Sequence, residues 1–370
     1  MSGIRVPLSF RSVLIFGGAG FIGSNWAQRL LSTTNAKVHV FDNLSRLGVR
    51  HNLAELQSLP GASQRLKVTI GDIRDAEAVT AAVHSATEIY HFAAQVAVTT
   101  SVEDPRTDFE VNVGGTLNIL EAARECGHKP FLLFTSTNKV YGHLDRPSTN
   151  EYAHRVIGPD DCVSESQPLD FYSPYGCSKG AADQYVHDYA RMFSLPTVVF
   201  RMSCIAGPHQ FGNEDQGWVA HFLYSALQDS PISIYGDGRQ VRDVLSVEDL
   251  LRAFEAVRAH REKTAGEVYN VGGGLGNAAS LLEVMKVIED LTGKRFRCRF
   301  LPPRPGDQPV YVSDFSKLQS HTRWCPHLSL QDTLERIYDW WHQYREVFAP
   351  MRVSQEVSAV ALQHLPEAAS

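Results

Sequence analysis

Short apolar runs rich in β-branched or aromatic residues recur along the first part of the chain: Val13 to Phe16, Val38 to Phe41, Val68 to Ile70, Ile89 to Phe92, Phe131 to Phe134 and Val198 to Phe200. Each has the length and unbroken hydrophobicity of a parallel strand buried on both faces, without the alternation of a strand that keeps one face wet. Between the runs, apolar positions recur at helical spacing. The clearest such stretch opens at Asp104-Pro105, a capping residue followed by the imino acid favoured in a first helical turn. It predicts one face carrying Phe109, Val113, Thr116, Leu117 and Leu120. Strands alternating with helices predict an α/β fold, a Rossmann-type doubly wound parallel sheet.

Beyond Arg201 the pattern breaks into loops such as Gly207-Pro208, Gly236-Asp237-Gly238 and Pro302-Pro303-Arg304-Pro305-Gly306. The expected division is a Rossmann domain over residues 1–203 and a smaller C-terminal lobe over 204–345. Residues 241–275, with the strand-like Glu267 to Val271, are expected to return to the first domain, and 346–370 read as a flexible tail.

With 370 residues the chain can bury a large core, so an enzyme fits and a small binding module does not. A formal charge of -6 argues against general affinity for nucleic acid, which needs a basic face; an anionic ligand would need a local basic pocket. Six cysteines without a C-x-x-C pair show no zinc or redox motif and read as reduced thiols, and no metal is expected. Met1 to Arg11 has no long apolar run, so the expected location is the cytoplasm, away from membranes.

Directly after the first run stands Gly17-Gly18-Ala19-Gly20-Phe21-Ile22-Gly23, followed by a helical pattern. Glycine at 17 and 20 lets the backbone turn and approach a pyrophosphate at a helix N-terminus, and Gly23 allows close packing. A plain tight turn would explain the glycines alone; Asp42, ending the second run in Phe41-Asp42-Asn43, adds a carboxylate placed to hold the ribose hydroxyls of NAD. Asp42 would repel a 2′-phosphate, although Arg46 leaves NADP open. Asp72, in Gly71-Asp72-Ile73, suits an adenine contact or a simple strand-end cap, and Ala93 and Ala94 suit close cofactor approach or simple packing.

Tyr175 and Lys179 stand four apart on a helical pattern that continues through Asp183, Val186 and Tyr189, so both share one face. A phenol titrates too high to act as a base at neutral pH, and a neighbouring ammonium makes it usable. That spacing alone also fits two surface residues. Thr135-Ser136-Thr137 at the end of the fifth run changes the balance, because ligands of open α/β sheets gather there. Tyr175, Lys179 and Thr137 together read as a set for alcohol oxidation, with Tyr175 taking the hydroxyl proton as hydride leaves for nicotinamide. Asn112 suits a pairing with the backbone of the Tyr175 helix, a relay water or an ordinary helix interior. Arg242 and Arg304 suit a diphosphate or open surface, and Arg295, Arg297 and Arg299 read as a solvated face.

From about Val13 to Trp341 the chain resembles the extended short-chain dehydrogenases/reductases, and within them the branch that epimerises CDP-paratose and CDP-tyvelose at C2. The most specific stretches are Phe41 to Arg46, Ser136-Thr137-Asn138-Lys139-Val140-Tyr141-Gly142, Ser173 to Lys179, Asp215-Gln216-Gly217-Trp218 and Gln240-Val241-Arg242-Asp243. The resemblance implies an isomerase with tightly bound NAD, in which Thr137, Tyr175 and Lys179 are catalytic. It implies a cofactor site of Gly17, Gly20, Phe21, Ile22, Gly23, Asp42, Asn43, Ser45, Arg46, Asp72, Ile73, Ala93, Ala94, Gln95, Asn112, Thr135, Tyr175 and Lys179. It places Gln95, Thr99, Thr137, Gln210, Gln216, Arg242 and Arg304 near a nucleotide-sugar substrate. It also implies a homodimer or homotetramer pairing through helices near 105–126 and 175–193. Ala206 departs from the family, whose members usually carry an aromatic residue there.

The implied cycle oxidises C2, lets the 2-keto sugar turn, and returns the hydride to the other face, for zero net redox. Sugar-nucleotide 4,6-dehydratases of the same family follow the threonine with an acidic pair that drives elimination; Asn138-Lys139 stand in those places, which disfavours water loss. A UDP-sugar 4-epimerase needs the same oxidising set, and a non-catalytic NAD-binding regulator would keep the fold without needing Tyr175. Lys139 could serve as a base beside a keto sugar, although an orienting or structural role is favoured.

Overall fold

In the computed structural model, which describes residues 11–144, 158–304 and 306–348, the six apolar runs become strands of one parallel sheet. They are Ser12–Phe16 (β1), Lys37–Asp42 (β2), Leu66–Ile70 (β3), Glu88–His91 (β4), Phe131–Thr137 (β5) and Thr197–Met202 (β6). The remaining strands are Cys204–Ala206 (β7), Ile232–Tyr235 (β8), Val241–Ser246 (β9), Glu267–Val271 (β10), Ala278–Ser280 (β11), Cys298–Leu301 (β12) and Val310–Tyr311 (β13). The readings of residues 1–10 and of the chain from Ala349 on lie outside the described residues.

The large sheet runs β10-β6-β5-β4-β1-β2-β3. Strand order therefore reverses between β1 and β4, and a crevice opens at their carboxyl ends. Phe16 is in register with Phe41 of β2 and His91 of β4, so the segments leaving these strands converge on one edge. Successive side chains of a strand point to opposite faces, which is why unbroken apolar runs are needed in the inner strands; the run Val68 to Ile70, expected to be buried, instead lies in the edge strand β3, where no residue is fully buried and Ile70 is 68% exposed. One face packs Trp26, Val38, Val40, Tyr90 and Phe254, and the other packs Phe16, Phe41, Ile89, Leu132 and Phe134.

Of residues 241–275, β10 joins the large sheet beside β6, and the helix Val247–Ala259 lays Leu250, Leu251, Phe254 and Val257 on its face. Val241–Ser246 does not join that sheet. With β10 covering the edge of β6, β9 instead pairs with β7, β11 and β13 in the smaller sheet. A third core of Phe222, Leu223, Ile234, Ile337 and Trp340 holds the second lobe together. Residues 346–348, expected to begin a tail, instead belong to this lobe: Phe348 completes the core with its ring 4.7 Å from that of Tyr224 and 5.3 Å from that of Phe211.

The helix expected after Asp104 forms, with the Asp104 carboxylate accepting from Thr107 N at 3.0 Å. It is not uniform: Pro105–Phe109 passes through a π-helical turn, Glu110–Gly114, into Gly115–Glu125. The extra residue of that turn shifts the expected face. Val113, Thr116 and Leu120 are buried, Leu117 is half-buried, and Phe109 is 58% exposed. Among the described residues no helix is long and apolar enough to cross a membrane.

Candidate active site

The glycine loop leaves β1 at the point where strand order reverses. Gly17 has a φ of +75°, and a Cβ there would stand 2.7 Å from Ala93 N; one on Gly23 would stand 2.2 Å from Gly17 O. Both positions therefore require glycine, the first for backbone conformation and contact with the end of β4, the second for seating the helix Phe21–Thr33. Asp42 locks the arrangement, accepting from Ala19 N at 3.0 Å and Leu44 N at 2.9 Å. Burial pushes its carboxyl up, and those backbone donors oppose the shift.

A cleft of about 420 Å³ follows this edge, lined by Gly17, Gly20, Phe21, Ile22, Gly23, Asp42, Asn43, Ser45, Arg46, Asp72, Ile73, Ala93, Ala94, Gln95, Gln210 and Gln216 among others. Sequence reasoning had selected all sixteen, together with Thr99, Asn112, Thr135, Thr137, Tyr175, Lys179, Arg242 and Arg304, which are not among the residues lining the cleft. A second hollow of about 640 Å³, bordered by Gly274, Phe315 and His327, contains none of the selected residues. Asp72 takes both the cap and the ion-pair geometry: Arg74 donates through Nε at 3.0 Å and Nη2 at 2.9 Å, and holds the carboxyl down to about 2. Asn43 Nδ2 also donates to Asp72, at 3.2 Å. Arg46 donates to Gln216 Oε1 at 2.8 Å, both side chains lining the cleft.

Tyr175 and Lys179 lie on the helix Ser173–Phe193, both buried, as is Thr137 at the end of β5. Pro174 opens that helix, and Ser101 Oγ accepts from Tyr175 N at 3.1 Å. Lys179 Nζ donates to Thr135 O at 2.8 Å and lies 4.1 Å from the centre of the Phe134 ring. Burial pushes Lys179 down to about 7 although Asp183 and Asp108 oppose it. Burial also pushes the Tyr175 phenol up to about 12, a hydrogen bond from Thr137 and the charge of Arg46 pulling the other way. Desolvation outweighs both, so the phenol stands above its ordinary value and not below it, as the sequence expectation of a phenol eased by its lysine required. Thr137 caps the short helical turn Asn138–Tyr141, its Oγ1 accepting from Lys139 N at 3.2 Å.

Asn112 occupies the π-helical turn, outside the cleft. Its Oδ1 accepts from Gln95 N at 2.9 Å; its Nδ2 faces Gln95 O at 3.1 Å, Asp108 Oδ1 at 3.1 Å and Ser178 Oγ at 3.0 Å. It thus pairs with the segment leaving β4 and with a side chain of the Tyr175 helix, not with that helix's backbone. Asp108 and Ser178 were missed by sequence reasoning; the spacing of Asp108 four residues before Asn112 was the available signal.

On the opposite side, Thr99 Oγ1 donates to Asp215 Oδ1 at 3.0 Å. Gln210 donates to Ile205 O at 3.2 Å, and its buried Oε1 has no partner among the described residues. Arg242 is buried, with Nη2 3.1 Å from Asp307 Oδ1. The Arg304 guanidinium stacks 3.7 Å over the Tyr235 ring and donates to Glu214 O at 3.2 Å. Arg295, Arg297 and Arg299 are exposed.

The GDP-mannose 4,6-dehydratase family model matches residues 14–337. CDP-paratose 2-epimerase of Salmonella typhi is 44% identical over 337 residues, covering 89% of this chain and 98% of the relative. UDP-glucuronic acid 4-epimerase from Bacillus cereus, solved in complex with UDP-glucuronic acid and NAD, superposes with a TM-score of 0.78 at 28% identity, covering 90% of this chain and 99% of that one. The dTDP-glucose 4,6-dehydratase DesIV from Streptomyces venezuelae, solved with NAD bound, gives 0.79 at 30% identity over 92% and 99% of the two chains.

Proposed function

The chain belongs to the GDP-mannose 4,6-dehydratase family within the extended short-chain dehydrogenases/reductases, and from that membership we propose that it is an NAD-dependent nucleotide-sugar epimerase, an isomerase that inverts C2 of CDP-paratose and CDP-tyvelose. The observation that carries the choice of reaction is the exit of β5. There Thr137 is followed by Asn138 and Lys139, so no carboxylate follows the threonine to assist elimination. The 44% identical relative, a CDP-paratose 2-epimerase, supports the substrate.

The residues fit NAD: the Gly17 turn leaves no side chain between the loop and the end of β4, and the carboxylate of Asp42 closes the second strand beside it. When bound, NAD would accept hydride from the sugar carbon and return it. The protein's own groups handle the proton. Thr137 Oγ1, fixed by Lys139 N, orients the sugar hydroxyl, and Tyr175 Oη, as the phenolate, receives its proton to become the phenol and gives it back when the carbinol reforms. The charge of Arg46 favours the phenolate, and Lys179, anchored on Thr135 O one helical turn from Tyr175, adds to it in its ammonium form. Arg242 and Arg304 hold the diphosphate, with Gln210, Gln216 and Thr99 around it. The protein works as a homodimer or homotetramer in the cytoplasm.

The test is NMR of the purified protein with CDP-paratose, CDP-tyvelose, UDP-glucose and UDP-galactose, with no cofactor added. Interconversion of the CDP sugars alone is the expected result. Turnover of only the UDP sugars would move the assignment to C4 epimerisation, the activity named for the solved UDP-sugar neighbours.

A further inference from the structure

Lys139 Nζ donates to Gly306 O at 3.1 Å and lies 3.4 Å from Asp307 Oδ1. The same carboxylate oxygen takes Arg242 Nη2 at 3.1 Å. One oxygen thus serves two cations, one from the exit of β5 and one from β9. Asn138 repeats the connection, its Nδ2 3.3 Å from Gln308 Oε1, while Gln308 Nε2 donates to Gly142 O at 2.7 Å. Both side chains that follow Thr137 therefore reach across to residues 306–308 of the second lobe.

Resting on the reading that Arg242 grips the substrate diphosphate, we propose that Lys139 is a positioning residue for the nucleoside diphosphate, acting through Asp307 and Arg242, and not a base for the sugar. Arg242 paired with Asp307 alone is a neutral couple, and a diphosphate approaching it meets a carboxylate at contact distance. Lys139 cancels that charge and leaves the three groups with one net positive charge. Asp307 in turn keeps the two cations from repelling each other and fixes the guanidinium, whose Nη1 also donates to Val241 O at 2.7 Å. Burial and the charge of Arg242 push Lys139 down to about 8 and Asp307 opposes the shift, while its nitrogen is engaged with Asp307 and Gly306 O. A base would need that nitrogen neutral and free.

The experiment compares wild type, Lys139→Met, Lys139→Arg, Arg242→Met and Lys139→Met/Asp307→Asn, each checked for retained NAD and thermal midpoint. Binding of CDP or UDP, whichever the wild type takes, is measured by calorimetry, with KM and kcat against pH. Lys139→Met is expected to weaken nucleotide binding and raise KM about tenfold, leaving the pH profile of kcat in place, with Lys139→Arg restoring both. The double variant should recover most of the loss, because no unshielded carboxylate remains beside Arg242. A hundredfold fall in kcat at unchanged nucleotide affinity would make Lys139 a base and overturn the proposal, as would a double variant no better than Lys139→Met. Normal nucleotide binding by Arg242→Met would instead remove the diphosphate assignment on which the proposal stands.

Discussion

Asn112 Nδ2 lies 3.0 Å from Ser178 Oγ, joining the π-helical turn to the helix Ser173–Phe193 between Tyr175 and Lys179. The same side chain closes two bonds to the backbone of Gln95, where the chain leaves β4 along the cleft. Asn112→Leu keeps the volume and removes every one of these bonds, leaving buried polar groups without partners. Each such group costs about 1–3 kcal/mol, so denaturant titration should show a loss of about 2–4 kcal/mol. Activity should fall further than the folded fraction explains, because the Tyr175 helix loses its tie to the cleft wall. A variant with wild-type stability and kcat would show that the contact positions nothing.

Tyr175→Phe keeps the buried ring and removes the one atom assigned to proton transfer. Turnover is expected to fall by roughly 10²–10⁴-fold, the scale of general base catalysis, with NAD retention unchanged. Full turnover by this variant would end the assignment of Tyr175 as base and reopen the reading of the chain as a non-catalytic binder.

Much of this site was legible because its chemistry follows strand ends. Gly17, Asp42, Ala93 and Thr137 each sit at or just past an apolar run, and the level register of β1, β2 and β4 brings the first three together. What stayed hidden was geometry created by irregular backbone. The π-helical turn carries no sequence signal, so Phe109 was placed on the wrong face. The Lys139–Asp307–Arg242 group unites three distant stretches of chain, which no local pattern reports. Val241–Ser246 reads like any buried strand; only the occupation of the β6 edge by β10 decides that it belongs to the smaller sheet.

Lys179 sets a pH dependence of stability. Its folded value, pushed down to about 7 by burial, lies below the unfolded value of 10.5, so between these the unfolded chain binds more protons. The contribution of this group to stability therefore rises with pH across that window, and is least favourable below about 7. Lys179→Met removes the buried charge. The variant should gain on the wild type near pH 7 and see that gain shrink toward pH 10, as read from denaturant midpoints. A gap that stays constant with pH would show that Lys179 is not held at a lowered value.

The helices around the catalytic face carry apolar residues that the subunit leaves uncovered. Val102 is 62% exposed and Phe109 58%; on the helix Ser173–Phe193, Tyr185 is 45%, Met192 67% and Phe193 40% exposed. The helices Val98–Glu103 and Pro105–Phe109 both pack against Ser173–Phe193, so these side chains lie on neighbouring helices. Large apolar patches are uncommon on monomers, and this one suits a second copy of the chain. Phe109→Glu/Met192→Glu leaves the buried core of the subunit intact and places charge on two helices of that face. Sedimentation is expected to show wild type as a dimer or larger and the double variant as a folded monomer with NAD retained. If the double variant sediments as the wild type does, the copies meet through another face.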